Sequence, residues 1–312
     1  MTHEERIRAA IAFETPDCVP LWFHNRDQMR GDVLWCDLSW AENGVHEWGY
    51  VFKHLNDGTM GQPEKPVLPD YDGFAAWPEP PLRREARLER LAAFSAGAED
   101  RYRVASLGIS GFTTFCFIRG FANAVMDLLT QPPEAFQLLD RIFSFETRLL
   151  EIAAEAGMQG IHFADDWGGQ QGLLIDPALW REIFKERYRA QFHRAHELGL
   201  QVWFHCCGNL LDIAEDFHEI GVDVLNISQP NVVDIAEVGR RLCGKQCFMV
   251  PISYQTVSIA GTPDEIHEEA RRLYDLLAVP SGGFIGYIEE YGCMGMSKTN
   301  YQACVEAFST LR

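Results

Sequence analysis

The chain has 312 residues, 47% of them hydrophobic, which suffices for one large domain or two smaller ones. Lys and Arg number 27 against 45 Asp and Glu, a formal net charge of −18 at pH 7; such a surface repels nucleic acid and anionic membranes and disfavours a heavily carboxylated ligand. No apolar run approaches the roughly 20 residues of a membrane span, the opening Met1-Thr2-His3-Glu4-Glu5-Arg6 carries no export signal, and nine Cys without regular close spacing read as the reduced thiols of a cytoplasmic protein.

Thr2 with Glu5 reads as a capping box, and Ile7, Ala10 and Ile11 give the helix it starts one apolar face. Val19 to Phe23 is a strand that exits into four polar residues, His24-Asn25-Arg26-Asp27. Residues 31–80 are the least regular part: Trp35, Trp40, Trp48 and Trp77 alternate with Gly and Pro, and a short strand is expected over His46–Val51. Loops this long tend to be lids or binding loops. A helix over Arg83–Phe94 leads to a strand over Tyr102–Leu107, a turn at Gly108–Gly111 and an aromatic cluster of Phe112, Phe115 and Phe117. Helices follow over Ala122–Leu129 and from Pro132-Pro133 to about Ala156.

Gly160–Ala164 is a strand ending in Asp165-Asp166-Trp167-Gly168-Gly169-Gln170. Two carboxylates beside a Gly-rich turn fit a catalytic role, and Asp also caps turns and helices. From here strand and helix alternate. Helices are expected over Ala178–Leu198, from Leu210 to Gly221, over Asp234–Arg241, over Thr262–Leu277 and from Asn300. Between them lie strands at Val202–Phe204, Val222–Ile227, Cys247–Ile252 and Gly283–Ile288. Strand centres at Val19, Tyr50, Val104, Ile161, Val202, Val224, Phe248 and Ile285 total eight. With right-handed crossovers between them, this predicts an α/β fold, a (β/α)8 TIM barrel formed as one domain by residues 1–312. In such a barrel the strand exits carry the chemistry, which here means His24, Asp165, Asp166, His205, Cys207, Gln229, Tyr254, Glu289 and Cys293.

The stretch His205-Cys206-Cys207-Gly208-Asn209 is the most informative. Side chains alternate along an extended segment, so His205 and Cys207 share a face and Cys206 points the other way. An imidazole and a thiol so placed can hold zinc, while a buried strand end in which Cys packs as a small hydrophobe is the plainer reading. Cys293, shortly after the last strand, can reach the same rim. Three ligands, His205, Cys207 and Cys293, would leave a fourth position open, as in a catalytic zinc site; otherwise Cys293 is an incidental loop thiol. The other thiols sit in or beside apolar elements and read as packing residues.

The chain resembles the uroporphyrinogen decarboxylase superfamily, and within it the corrinoid- and zinc-dependent methyltransferases. The resemblance covers nearly the whole length: Arg6, Ala10, Pro16-Asp17-x-Val19-Pro20, Glu47-Trp48-Gly49, Ile118-Arg119-Gly120-Phe121, Asp165-Asp166-x-Gly168-x-Gln170-x-Gly172, His205-x-Cys207-Gly208-Asn209, Gly221-Val222-Asp223-Val224-Leu225-Asn226 and Gln229-Pro230. It implies a TIM barrel, and its methyltransferase branch implies zinc on His205, Cys207 and Cys293. The decarboxylase branch carries an arginine-bearing segment after the first strand for substrate carboxylates. Here that place reads Trp22-Phe23-His24-Asn25-Arg26-Asp27, with one Arg beside an Asp, which argues against a polycarboxylated porphyrinogen.

The expected activity is methyl transfer between a small methylated substrate or thiol and a cobamide. No corrinoid-binding signature is fused to the chain, so the cobamide would come free or on a separate corrinoid protein. Zinc would acidify a bound thiol or stabilise a leaving oxygen. Asp165 and Asp166 are expected to orient substrate or to brace His205. His24, Trp48, Phe112, Arg119, Gln170, Gln229 and Tyr254 are expected to line the substrate pocket. A homodimer is compatible with this reading. Two alternatives remain at this point: a metal-free lyase using Asp165 or Asp166 as acid–base group, and a non-catalytic tetrapyrrole- or corrinoid-binding protein.

Overall fold

In the computed structural model, which describes residues 1–53, 61–290 and 295–311 (the side chains of Asn25 and Arg26 excepted), eight parallel strands form one sheet. They are β1 (Leu21–Phe23), β2 (Val33–Asp37), β3 (Tyr102–Ile109), β4 (Gly160–Ala164), β5 (Gln201–Cys206), β6 (Val224–Ile227), β7 (Cys247–Pro251) and β8 (Phe284–Ile288). Their spatial order is β1-β8-β7-β6-β5-β4-β3-β2, so the sheet curls until β1 and β2 stand at its two ends. Helices outside the sheet make this the expected single-domain (β/α)8 barrel.

The two ends are joined by a side chain. The Asp32 N–H donates to the Leu21 carbonyl (2.8 Å), and the Leu21 N–H donates to Asp32 Oδ2 (2.7 Å), where a neighbouring strand would supply a carbonyl. Asp32 Oδ1 is held in turn by Arg6 and by His3 Nδ1, both on α1 (His3–Ala12). The Thr2–Glu5 capping box starts that helix as expected. Its Ile7 and Ile11 close the bottom of the barrel against inward-facing Trp22, Val33, Val104, Trp203 and Val224. The opposite faces of the strands, among them Phe23, Phe163, Phe204 and Leu225, pack against the surrounding helices.

The second strand is Val33–Asp37, not the segment around Tyr50, which corrects the sequence-based count. A single 3-10 turn over Asn25–Arg30 connects β1 to β2, so the strand–helix spacing that locates the other strands does not apply here. The excursion from β2 to β3 carries two small antiparallel pairs, Ala41–Glu42 with Val45–His46 and Phe52–Lys53 with Gln62–Pro63. It also carries α2 (Arg84–Ser95), whose buried Arg87 pairs with Glu47 and ties the excursion down. Beyond β3 come α3 (Gly111–Arg119), α4 (Phe121–Thr130) and the long α5 (Pro133–Glu155). No single helix among the described residues is long and apolar enough to cross a membrane.

Asp32 is 5% exposed and serves three donors at the seam. Removing a buried carboxylate from such partners costs about 3 kcal/mol. Asp32→Ala should therefore lower the urea midpoint strongly without changing the residues at the opposite, carboxyl end of the strands. A loss under about 1 kcal/mol would show that the seam does not depend on this side chain.

Candidate metal and substrate site

Strand β5 delivers its side chains as alternation requires. Cys206 is buried on the helix side, where its Sγ accepts the Trp167 N–H (3.3 Å) and burial pushes the thiol well up. His205 and Cys207 face the barrel mouth. In register, His205 lies beside Asn226 of β6. The Asn226 amide donates to the Met249 carbonyl (2.7 Å), which presents its Oδ1 to His205 Nδ1 at 2.6 Å. Nδ1 is therefore a protonated nitrogen in either charge state of the ring, and Nε2 is the nitrogen turned toward Cys207 and Asp166.

That Nε2 is 3.4 Å from Cys207 Sγ and 3.6 Å from Asp166 Oδ1. One ligand atom from each of Asp166, His205 and Cys207 falls within 4.8 Å of the others. Zinc bonds of about 2.0–2.3 Å in a tetrahedron place neighbouring ligand atoms roughly 3.3–3.8 Å apart, so this donor set fits zinc in type and spacing. Burial opposes charge on His205, but Cys207 and Asp166 outweigh it and raise the ring to about 10. Such a site draws a cation. Ser228 Oγ stands 3.5 Å from Cys207 Sγ and 2.5 Å from Tyr254 OH, and burial raises the Tyr254 phenol.

Contact between two exit loops sets this geometry. Gly208 has φ +75°, and a Cβ on it would come 2.0 Å from the Gly168 carbonyl oxygen; a Cβ on Gly168 would come 2.4 Å from the Asn209 nitrogen. Side chains are therefore impossible at both. The loops bond directly, Gly168 N–H to the Cys207 carbonyl (3.1 Å) and Asn209 N–H to the Gly169 carbonyl (2.8 Å). Asp166 Oδ1 also accepts the Cys207 N–H (2.9 Å). Gln229 Oε1 accepts the Gly208 N–H (2.9 Å) and meets the exposed Gln170 at 3.4 Å, so both glutamines brace the rim.

These groups border a cavity of about 520 Å³, a size suited to a small ligand. Trp22 and His162 form part of its floor, where burial, with His205 and His24 nearby, depresses the His162 ring to about 3 and leaves it neutral. On the far side His24 Nδ1 is 3.0 Å from Glu289 Oε1, Tyr287 OH donates to Glu289 Oε2 (3.3 Å), and the His24 ring stacks on Trp35 with 5.6 Å between centroids. Among the described cavity residues there is no Lys or Arg, and there are three carboxylates, Asp37, Asp166 and Glu289.

The structure brings His24, Asp166, His205, Cys207 and Tyr254 of the expected site around one cavity. Cys293 lies outside the described residues. Asp165 is not a cavity residue. It is fully buried on the helix side, where it accepts the N–H groups of Phe112 and Thr113 (2.8 Å each), the Thr113 hydroxyl (2.7 Å) and the Tyr188 hydroxyl. It anchors the start of α3, and burial, against those bonds, raises its carboxyl to about 7. The brace on His205 Nδ1 is Asn226, not an aspartate. Trp48 packs in the core against Trp77 and Phe145. Phe112 stacks on Trp167 at 4.4 Å, away from the cavity. Arg119 is buried in an ion pair with Asp127 (2.7 Å), and Cys18, expected to pack, is exposed. Sequence reasoning missed His162, Asn226 and Trp35. Strand alternation could have found them, since each is a polar or amphipathic residue at an inward position of an otherwise apolar strand.

The family model for uroporphyrinogen decarboxylase (URO-D) matches residues 55–310. A methyltransferase from Methanosarcina mazei has the same fold, with a TM-score of 0.75, 17% sequence identity and 98% of each chain covered. A chitinase from Chromobacterium violaceum gives a TM-score of 0.47 at 12% identity, covering 95% of this chain and 100% of its own. A 3-keto-D-glucoside 4-epimerase from E. coli gives 0.43 at 15% identity, covering 72% and 84%. At 17% identity the likeness to the methyltransferase is one of fold. No curated protein sequence matches the chain.

Two outcomes test this construction. Gly208→Ala should destabilise by more than about 1 kcal/mol and weaken zinc binding by parting Cys207 from Asp166, whereas Gly172→Ala, with nothing within 4 Å of its Cβ, should do neither. Unfolding midpoints and zinc titration of the two variants decide it. The second outcome concerns Glu146, which accepts the Gly111 N–H (2.7 Å) and the Gln191 amide (2.9 Å) behind α3. Burial pushes its carboxyl from 4.5 up to about 8. A raised folded value means its contribution is complete below 4.5 and lost as pH rises to about 8. Glu146→Gln should thus gain stability relative to wild type between pH 5 and pH 8; equal midpoint differences at both pH values would refute the assignment.

Proposed function

The chain belongs to the uroporphyrinogen decarboxylase family, and from that footing we propose that it is a zinc-dependent methyltransferase moving a methyl group between a small methylated compound or thiol and a cobamide. The observation that carries this reading is the donor set: His205 Nε2, Cys207 Sγ and the Asp166 carboxylate at zinc-ligand spacing, with the histidine tautomer set by Asn226. The founding decarboxylase chemistry fits less well. A polycarboxylated porphyrinogen would meet Asp37, Asp166 and Glu289 in a cavity whose described residues include no Lys or Arg. The activity in the name of the Methanosarcina mazei protein points the same way.

In this reading His205, Cys207 and Asp166 hold the metal, and Cys293, which follows β8 in sequence and lies outside the described residues, is proposed as a further ligand. Bound zinc would supply a Lewis acid that lowers the pKa of a substrate thiol or stabilises a leaving oxygen. The chain's own residues do the rest. Asn226 holds the His205 ring by Nδ1, so that Nε2 is the nitrogen facing the site and the one that would give up its proton to a bound metal. The Ser228 hydroxyl reaches the Cys207 sulfur and, through its bond to Tyr254 OH, ties it to the exit of β7. Glu289 accepts the His24 Nδ1–H and fixes that ring against Trp35 on the far side of the cavity, where it shapes the end of the substrate away from the metal. Trp22 and Trp35 line the cavity and keep water from the reacting atoms. The cobamide reaches the mouth free or on a separate protein.

Metal analysis tests the reading. The purified chain should bind one zinc ion, more weakly as pH falls because the thiol must be deprotonated. Cys207→Ala should abolish zinc binding and methyl transfer, Asn226→Ala should weaken zinc by about 10–100-fold, and Cys206→Ala should change neither. Comparing Asp166→Asn with Cys293→Ala identifies the third ligand. Wild-type protein that takes up no zinc at neutral pH, or that decarboxylates uroporphyrinogen at an enzymatic rate, would overturn the proposal.

A further inference from the structure

The cavity has two unlike poles. In the ring of strands, β5 stands across from β1. The near pole, at the ends of β4 and β5, holds Asp166, His205 and Cys207. The far pole is built from β1, β2, β8 and the excursion that follows β2, and it is aromatic and acidic: Trp35, Tyr50, Phe52 and Tyr287 with Asp37 and Glu289. The Asp37 carboxylate accepts only the Ser39 N–H (2.7 Å) and hydroxyl (2.9 Å) among its described hydrogen bonds, and no ion pair is described for it. Glu289 is shared between His24 and the Tyr287 hydroxyl. His46, also at this pole, adds no charge, because burial and the neighbouring Arg87 lower its ring to about 4. Between the poles Trp22, 3% exposed, borders the cavity with an indole N–H that has no acceptor among the described residues.

We infer that the far pole selects a cation, so that the substrate is a small S- or O-methylated compound whose other end is an ammonium or similar onium group. This deepens the reading above and rests on the same cavity being the substrate site. The alternatives fail on charge. An anionic end would meet two carboxylates and no described Lys or Arg, and His24 is already engaged by Glu289. A neutral apolar end would displace water from Asp37 and give it no partner. An onium group is attracted to aromatic faces by their quadrupoles and to the carboxylates by charge. The near pole then takes the sulfur or oxygen, and a lone pair on the linking atoms can accept the Trp22 N–H.

The test is binding to the full chain, zinc-free and zinc-loaded, measured by calorimetry with three probes. Choline is the cationic probe, 3,3-dimethylbutan-1-ol its neutral isostere and 2-hydroxyethanesulfonate the anionic counterpart. Choline should bind at least about tenfold more tightly than the neutral alcohol, and the sulfonate should not bind. Asp37→Asn, a change at an exposed position, should shrink the choline-to-alcohol ratio severalfold while leaving the alcohol's affinity unchanged. The hydroxyl is common to all three probes, so a failure of zinc to bind changes their affinities together and leaves the ratio intact. That separates this inference from the metal reading. Equal or tighter binding of the alcohol or the sulfonate would overturn it, as would the absence of measurable choline binding.

Discussion

The backbones of Gly168 and Gly208 lie in contact, and no side chain fits at either place. This contact lets the exits of β4 and β5 approach closely enough for Asp166 to accept the Cys207 N–H while its carboxylate faces His205. The next layer follows from it. Gln229 holds the Gly208 N–H from the side, and the Gly-rich turn at 168–172 is needed for proximity, not for flexibility. A metal-capable triad spread over two loops would otherwise be expensive to organise, because each long loop would have to be ordered separately. Here the backbone bonds between the loops order both together.

Below the mouth, the same barrel sorts its charged groups by layer. Asp165 and Glu146 lie in the outer layer between strands and helices, where burial keeps both carboxyls near neutrality and they anchor the start of α3. Asp166, one residue on, faces the cavity. A single step along the strand exit therefore separates a structural carboxyl from a functional one. The step between Cys206 and Cys207 does the same for two thiols, one raised by burial and packed, the other beside His205.

This sorting also explains what could be read from residues alone. Seven of the eight barrel strands were legible because each is an apolar run preceded by a helix. β2 was not, because one 3-10 turn takes the place of that helix. His205 and Cys207 were legible because a regular strand makes alternation predictive to its last residue and, here, one step beyond. Asp165 and Asp166 follow β4, whose inward His162 and Ala164 carry the alternation on to Asp166 and leave Asp165 on the helix side, yet both carboxylates were expected in the site. Trp48 and Arg119 belong to family-like segments yet sit in the core, with Arg119 closed into a pair with Asp127. A motif marks a residue as matched to its surroundings without saying whether those surroundings are cavity or core. Alternation marks Asn226 as an inward polar residue, but its task, holding His205, exists only across strands, in register with that histidine.

The exit of β1 shows how such a barrel can change substrate without changing fold. In the decarboxylase pattern this exit supplies arginines; here it supplies His24, stacked on Trp35 and tied to Glu289 from the neighbouring strand. β1 and β8 are adjacent, so a carboxylate at one exit and a histidine at the other meet without any rearrangement of the core. An arginine-bearing loop in that place would reverse the charge of the pole and would favour carboxylated ligands. The core residues beneath, Trp22, Val33 and Trp203, are not involved in the exchange. Ligand charge is thus decided by a few side chains at three adjacent strand ends, while the donor set at β4 and β5 is held independently on the other side of the cavity.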